Sequence, residues 1–217
     1  MVFRLLCLSI ASFHFSSCAI TTVYVSPNNF KNLPTTVFLS NGDSASGSLS
    51  LNNEVLFNKK IKFVSDNRNA MEKHHLLDIS SYKKGDDTYE LKHVMHGKRV
   101  SPAHYFMKRL TAPDSRIHLY EHIQKKYEHR SSRRVTYHPV YYIETSKGRR
   151  NTVFEIKGHQ LSPNFHLKMS ELVSDCASLK SKIQGREEGY HYQVSNTTEK
   201  QRADILLRII KEYNSCK

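Results

Sequence analysis

The sequence predicts an α+β protein: an antiparallel β-sheet, a meander of hairpins, followed by a small C-terminal helical subdomain. Three observations carry that expectation. Asn41-Gly42 stands between apolar residues that alternate with polar ones, the strongest short-range hairpin signal, because both residues tolerate positive φ. Period-two alternation recurs further along. From about Pro163 the apolar spacing changes to three and four residues, the period of a helix packed on a core.

Taken in order, "TTVFLSNGDSASGSLSL" (35–51) reads as the first hairpin, with Val37–Leu39 on one arm and Leu49 and Leu51 on the other. "KIKFVS" (60–65) reads as a strand. "DTYELKHVM" (87–95) is another, with Tyr89, Leu91, His93 and Met95 on one side. "SPAHYFMKRL" (101–110) reads as a short helix, since Ser101 suits an N-cap and Pro102 the first helical position. "APDS" turns into the strand "RIHLYEHI" (116–123), where Ile117, Leu119 and Ile123 face one way and His118, Tyr120 and His122 the other. "KKYEHRSSRR" (125–134) reads as basic and structureless, and "PVYYIETSKGRRNTVFEIKG" as a hairpin around Lys147-Gly148.

Three helical segments follow. Phe165, Met169 and Leu172 share a face, as do Leu179 and Ile183 in a helix capped by Ser174 or Asp175. In the last, Ala203, Leu206, Leu207, Ile210 and Tyr213 form an apolar stripe, and Thr198 with Gln201 has capping-box spacing.

The chain start has a different character. In MVFRLLCLSIASFHFSSCAI, Arg4 precedes a mostly apolar run, Leu5–Phe15, far short of the roughly 20 residues that span a bilayer. A basic start, a short apolar run and small residues match a secretory signal peptide; the alternative is an ordinary buried first element. Phe15-Ser16-Ser17-Cys18 resembles a lipobox, which makes Cys18 the lipidation residue. Ser17-Cys18-Ala19 also suits ordinary signal cleavage. The expected organisation is a signal peptide over 1–18, a linker over 19–34, a β-rich region over 35–160 with one short helix near 101–110, and a helical region over 161–217.

Several segments taken together resemble a known family. "SNGDSASGSLSL", "LLDISSYKKGDDTYELK" and "FMKRLTAPDSRIHLYEH" appear in its order, and the end matches most closely: Asp175-Cys176-x-x-Leu179-x-x-x-Ile183, then Glu212-Tyr213-Asn214-x-Cys216. The chain is similar, over roughly 35–216, to a large family of exported envelope proteins of Bacteroidetes-type bacteria, a family of uncharacterised activity. Ser44 departs from its usual Thr, and Ala177 from its usual Pro. In some relatives the corresponding region precedes an outer-membrane β-barrel. The resemblance implies an exported envelope domain, periplasm-facing or outer-membrane-associated, and supplies no catalytic residues.

Export removes Cys7 and leaves Cys176 and Cys216 as thiols in an oxidising compartment. One disulfide between them is the expectation, with free thiols or a redox pair as alternatives. No Walker loop, Gly-x-Ser-x-Gly, His-Glu-x-x-His or Gly-x-Gly-x-x-Gly occurs, so no enzyme and no cofactor are expected. His74-His75, His93-x-x-His96 and His118 with His122 lack helpful acidic neighbours, and no metal is expected.

Charge is the outlier. With 33 Lys+Arg against 20 Asp+Glu, the net charge is +13, which favours anionic partners. Lys98, Arg99, Lys108, Arg109, Arg116, Lys125, Lys126, Arg130, Arg133 and Arg134 crowd one region with Tyr105, Tyr120 and Tyr127. Lys125, Lys126, Arg130, Arg133 and Arg134 are the candidate anion-binding residues. For an exported protein the expected partners are anionic lipid headgroups, envelope glycan or an outer-membrane protein. The resulting reading is a non-enzymatic binding or structural lipoprotein at a membrane surface. The alternative is a basic nucleic-acid-binding protein without a true signal, since basic grooves with stacking aromatics bind single strands.

Overall fold

The computed structural model describes residues 29–52, 60–66, 71–97, 99–127, 135–145 and 151–216. Cys18 and the signal segment, Lys98, Arg130, Arg133, Arg134 and the Lys147-Gly148 turn lie outside the described residues. The class is α+β, mostly strand, with the helices at the C-terminal end.

The strands are β1 (Asn29–Leu39), β2 (Ser44–Asn52), β3 (Lys60–Ser65), β4 (Met71–His75), β5 (Ile79–Lys84), β6 (Asp87–His96), β7 (Arg99–Arg109), β8 (Ile117–Tyr127), β9 (Val135–Thr145) and β10 (Thr152–Glu155). They form one sheet in the order β10-β9-β8-β7-β6-β5-β1-β2-β3-β4. Neighbours are antiparallel throughout. In addition, β10 pairs in parallel with β6, Val153 opposite Val94, so β6 to β10 close into a five-stranded barrel.

The expected Asn-Gly hairpin is present: Gly42 has φ 96°, and Val37 pairs with Ala45 across the turn. On β2, Gly47 lies between Thr35 and Ser65, and an added Cβ there would meet the Val64 carbonyl oxygen at 2.1 Å. Leu49, Leu51, Ile61, Phe63, Tyr82, Leu91 and Phe106 bury one continuous apolar face of the sheet.

Three expectations are corrected. Residues 101–110 are not a helix, because Arg99–Arg109 is strand β7, held by pairs such as Leu91↔Phe106 and Glu90↔Met107. Phe106 and Met107 are both buried, on opposite faces, which a strand between two cores requires and a helix cannot supply. Pro102 falls where the β6–β7 register shifts, a position that needs no ladder donor. The linker is also shorter than expected, since β1 starts at Asn29. Pro34 is accommodated because β1 meets β5 only from Val37 to Leu39, leaving its earlier part an edge. Finally, Lys125, Lys126 and Tyr127 are strand residues, paired with Tyr137, Thr136 and Val135.

The helices are α1 (Phe165–Leu172), α2 (Ala177–Gln184) and α3 (Glu199–Ser215). Thr198 and Gln201 form the expected capping box of α3. The N-cap of α2 is Cys176 rather than Ser174 or Asp175, and its side chain makes no cap hydrogen bond. The helices lie on the outer face of β8 and β9, where Ile117, Leu119, Tyr141 and Ile143 join Met169, Leu179, Leu206 and Ile210 in one core.

A clasp ties the helices to β8. Cys176 and Cys216 form a disulfide with Cα atoms 5.9 Å apart, joining the start of α2 to the end of α3. Beside it, Tyr213 Oη donates to Asp175 Oδ1 at 2.7 Å, and Arg116 pairs with Asp175 while its guanidinium lies 3.8 Å from the Tyr213 ring centroid. Asn214 Oδ1 accepts from the Arg116 amide at 3.0 Å, and its Nδ2 donates to Ser115 Oγ at 3.1 Å.

Two stability outcomes follow from these contacts. Cys176→Ser with Cys216→Ser releases a loop of 40-residue separation and is expected to lower urea-unfolding stability by up to about 4 kcal/mol. Non-reducing peptide maps should recover the linked pair from the wild type. Gly47→Ala is expected to cost about 2 kcal/mol, the scale of overpacking, because backbone rather than a flexible side-chain tip must move.

Candidate functional site: a basic β-ribbon beside a buried charge network

β8 and β9 stay paired along their whole length, from Ile117↔Thr145 to Tyr127↔Val135. Their outer neighbours do not follow. β7 pairs with β8 only at Lys108↔Glu121 and Arg109↔Tyr120, and β10 meets β9 only at Phe154↔Ile143 and Glu155↔Tyr142. Beyond those pairs, among the described residues, the two strands continue as a two-stranded ribbon.

The ribbon is wet and cationic. Residues 124–127 are all exposed, Tyr127 at 58%. Strand alternation sends Lys126 to one face and Lys125 with Tyr127 to the other. Lys125 Nζ lies 5.5 Å from the Tyr127 ring centroid, a cation–π contact. His138 is exposed on the partner strand, its Nε2 2.9 Å from Thr136 Oγ1.

Three other cations of the sequence crowd are paired on separate parts of the fold. Lys108 meets Asp87 at 2.8 Å, Arg109 meets Glu90, and Arg116 meets Asp175. Of the candidate anion-binding residues, Lys125 and Lys126 stand together on the ribbon.

Inside the barrel lies a network that the sequence reading missed. Lys92, 3% exposed, places Nζ 2.6 Å from Glu144 Oε2 and 2.9 Å from Glu90 Oε2. The Tyr120 hydroxyl is 2.9 Å from both carboxylates and donates to one at a time. Arg109 pairs with Glu90, and the Asn151 amide donates to Glu144 Oε1 at 3.0 Å. The network borders a cleft of about 270 Å3 lined also by Ser40, Leu77 and His93.

Two carboxylates are balanced by one lysine and one arginine. Burial alone would raise the Glu90 pKa; the Lys92 charge, hydrogen bonds from Lys92 and Tyr120, and Arg109 outweigh it and hold the carboxyl below its ordinary value. Burial, then the two carboxylates, push the Tyr120 hydroxyl far up. Burial holds the His118 imidazole down, against the pull of Glu144 and Glu90, and Thr111 Oγ1 lies 3.2 Å from its Nδ1. The carboxylates, the lysine, the arginine and the tyrosine hydroxyl are thus engaged with one another.

The histidines flagged in the sequence are scattered. His93 packs on His104, and His74 on Phe63. Among the described residues no three His, Cys, Asp or Glu side chains group closely enough to hold a metal, and no helix is long and apolar enough to cross a membrane.

Removing one partner of a buried ion pair strands the others. Lys92→Met is expected to cost about 3 kcal/mol in urea unfolding. Because the Glu90 pKa is depressed on folding, its contribution is present above the unfolded value of about 4.3 and is lost as pH falls through the folded value. Melting temperature should therefore drop below about pH 4.3, and Glu90→Gln should flatten that drop. No family model, curated protein or solved structure matches this chain.

Proposed function

We propose that this is an exported, non-enzymatic envelope protein, lipid-anchored through Cys18, that binds anionic lipid headgroups with its β8–β9 ribbon. The observation that carries the reading is the ribbon itself: Lys125 and Lys126 exposed on opposite faces, next to an exposed tyrosine. Each lysine near an anionic surface contributes about 1 kcal/mol. Tyrosine favours an interface where its ring is apolar-facing and its hydroxyl wet. The Cys176–Cys216 disulfide supports an oxidising compartment, and the N-terminal leader pattern supports export. Arg130, Arg133 and Arg134 lie in the sequence between the two ribbon strands.

Sedimentation of the full chain with phosphatidylglycerol vesicles tests the headgroup reading. Binding is expected to weaken steeply with salt and to be absent on phosphatidylcholine. Lys125→Glu with Lys126→Glu should weaken it by about tenfold or more. Equal binding by that variant, or tighter salt-sensitive binding to envelope glycan or single-stranded nucleic acid, would overturn the lipid assignment. The intact mass of the protein from its host tests the anchor: an acylated N-terminal Cys18 is expected, and an intact Met1 in a cytoplasmic fraction would refute export.

A further inference from the structure

We propose that the helical region carries a separate binding site for a small organic oxyanion, a carboxylate or a phosphate, in the cleft between the segment entering α1 and the segment leaving α2. The cleft measures about 340 Å3, within the range of small-molecule sites. Asn164, Phe165 and His166 form one side, and Arg186, His191 and Tyr192 the other.

Its charge is one-sided. Arg109, Arg116 and Arg202 each meet a carboxylate: Glu90, Asp175 and Glu199. Arg186 instead donates from Nη2 to His166 Nε2 at 3.2 Å, and among the described residues no carboxylate pairs with it. The His191 ring lies 5.8 Å from that of His166, and its Nδ1 is buried without a hydrogen-bond partner. None of the residues lining the cleft is acidic. Burial, with Arg186 and His166 adding to it, holds the His191 imidazole below its ordinary pKa. Arg186 has φ 55°, a conformation that costs a non-glycine residue free energy and persists where the surroundings impose it.

An oxyanion supplies what this cluster lacks. The planar guanidinium matches two oxygens of a carboxylate or phosphate, and imidazole N–H groups add donors. Asn164 makes no side-chain cap hydrogen bond to the first turn of α1, which borders the cleft. The wall is apolar: the Phe165 and Tyr192 rings lie 4.0 Å apart, and the Tyr192 hydroxyl is already committed to the Ile156 carbonyl at 2.6 Å. That combination suits an anionic head on a small apolar or aromatic body. A divalent cation fits poorly, because the Arg186 guanidinium occupies the ligating nitrogen of His166.

Calorimetric titration of the full chain with inorganic phosphate and, separately, with benzoate tests the site and distinguishes the two head groups. Saturable one-to-one binding of at least one probe is expected, with shifts in the ring resonances of His166 and His191. Arg186→Gln should weaken it about tenfold, the loss of one charge-assisted contact. His191→Asn provides a second variant at the same cleft. Lys125→Glu with Lys126→Glu should bind as the wild type does, which separates this cleft from the ribbon. Absence of saturable binding by both probes, unchanged affinity in Arg186→Gln, or loss of binding in the ribbon variant would overturn the proposal.

Discussion

The pairing of β10 with β6 is short, from Thr152↔His93 to Phe154↔Met95, yet the middle of the molecule depends on it. It turns one face of five strands into an interior. Val94, Met107, Tyr120, Val140, Tyr142 and Val153 then fill that interior as a core. The same closure encloses Glu90, Lys92 and Glu144, which on an open sheet would face water. Charges withdrawn from water need partners, and the two cations and the tyrosine hydroxyl supply them with short contacts. The ion network is thus a consequence of topology: close the barrel, and the mixed face of β6 must balance internally.

A second constraint acts on the outside. Two helices of this region, α1 and α2, have eight residues each, too few to persist on propensity alone. They are held by burial on β8 and β9 and by the clasp at the disulfide. Asp175, Cys176, Tyr213, Asn214 and Cys216, two short clusters near the end of the chain, all belong to that clasp. Glu212 of the second cluster accepts from Lys182 at 2.7 Å and from Tyr190 at 2.5 Å, tying α3 to α2 and to the segment beyond it. Each of these residues makes a contact that tethers the helical region.

Local signals were legible and long-range ones were not. The Asn41-Gly42 turn, the Leu49/Leu51 alternation and the Thr198 capping box act within a few residues, so the sequence displays them directly. The 101–110 segment misled because Ser101 and Pro102 satisfy helix-start chemistry, whereas the outcome was decided by pairing with β6 and by burial on both faces. Lys92 was invisible as a buried residue for a related reason. Alternation against Leu91 marks it as outward-facing on an open sheet, and only the β6–β10 pairing, across 59 positions of chain from Lys92 to Asn151, makes that side an inside. The partners of Lys108, Arg109 and Arg116, namely Asp87, Glu90 and Asp175, are distant in sequence and so were not legible there.

What remains is a division of charge that follows from where cover ends. Helical packing on β8 and β9 covers Ile117, Leu119, Tyr141 and Ile143, near the barrel. A two-stranded ribbon has little stability of its own. Here its root is fixed by the barrel on one side and the α3 core on the other, so its outer part can extend into water without a third strand. Along that outer part Lys125 and Lys126 are exposed, while Lys92 and Arg109, a few residues from the root, are paired with carboxylates. Exposed positive charge thus stands on the outer part of the ribbon, whereas the charges of the barrel interior are balanced by one another.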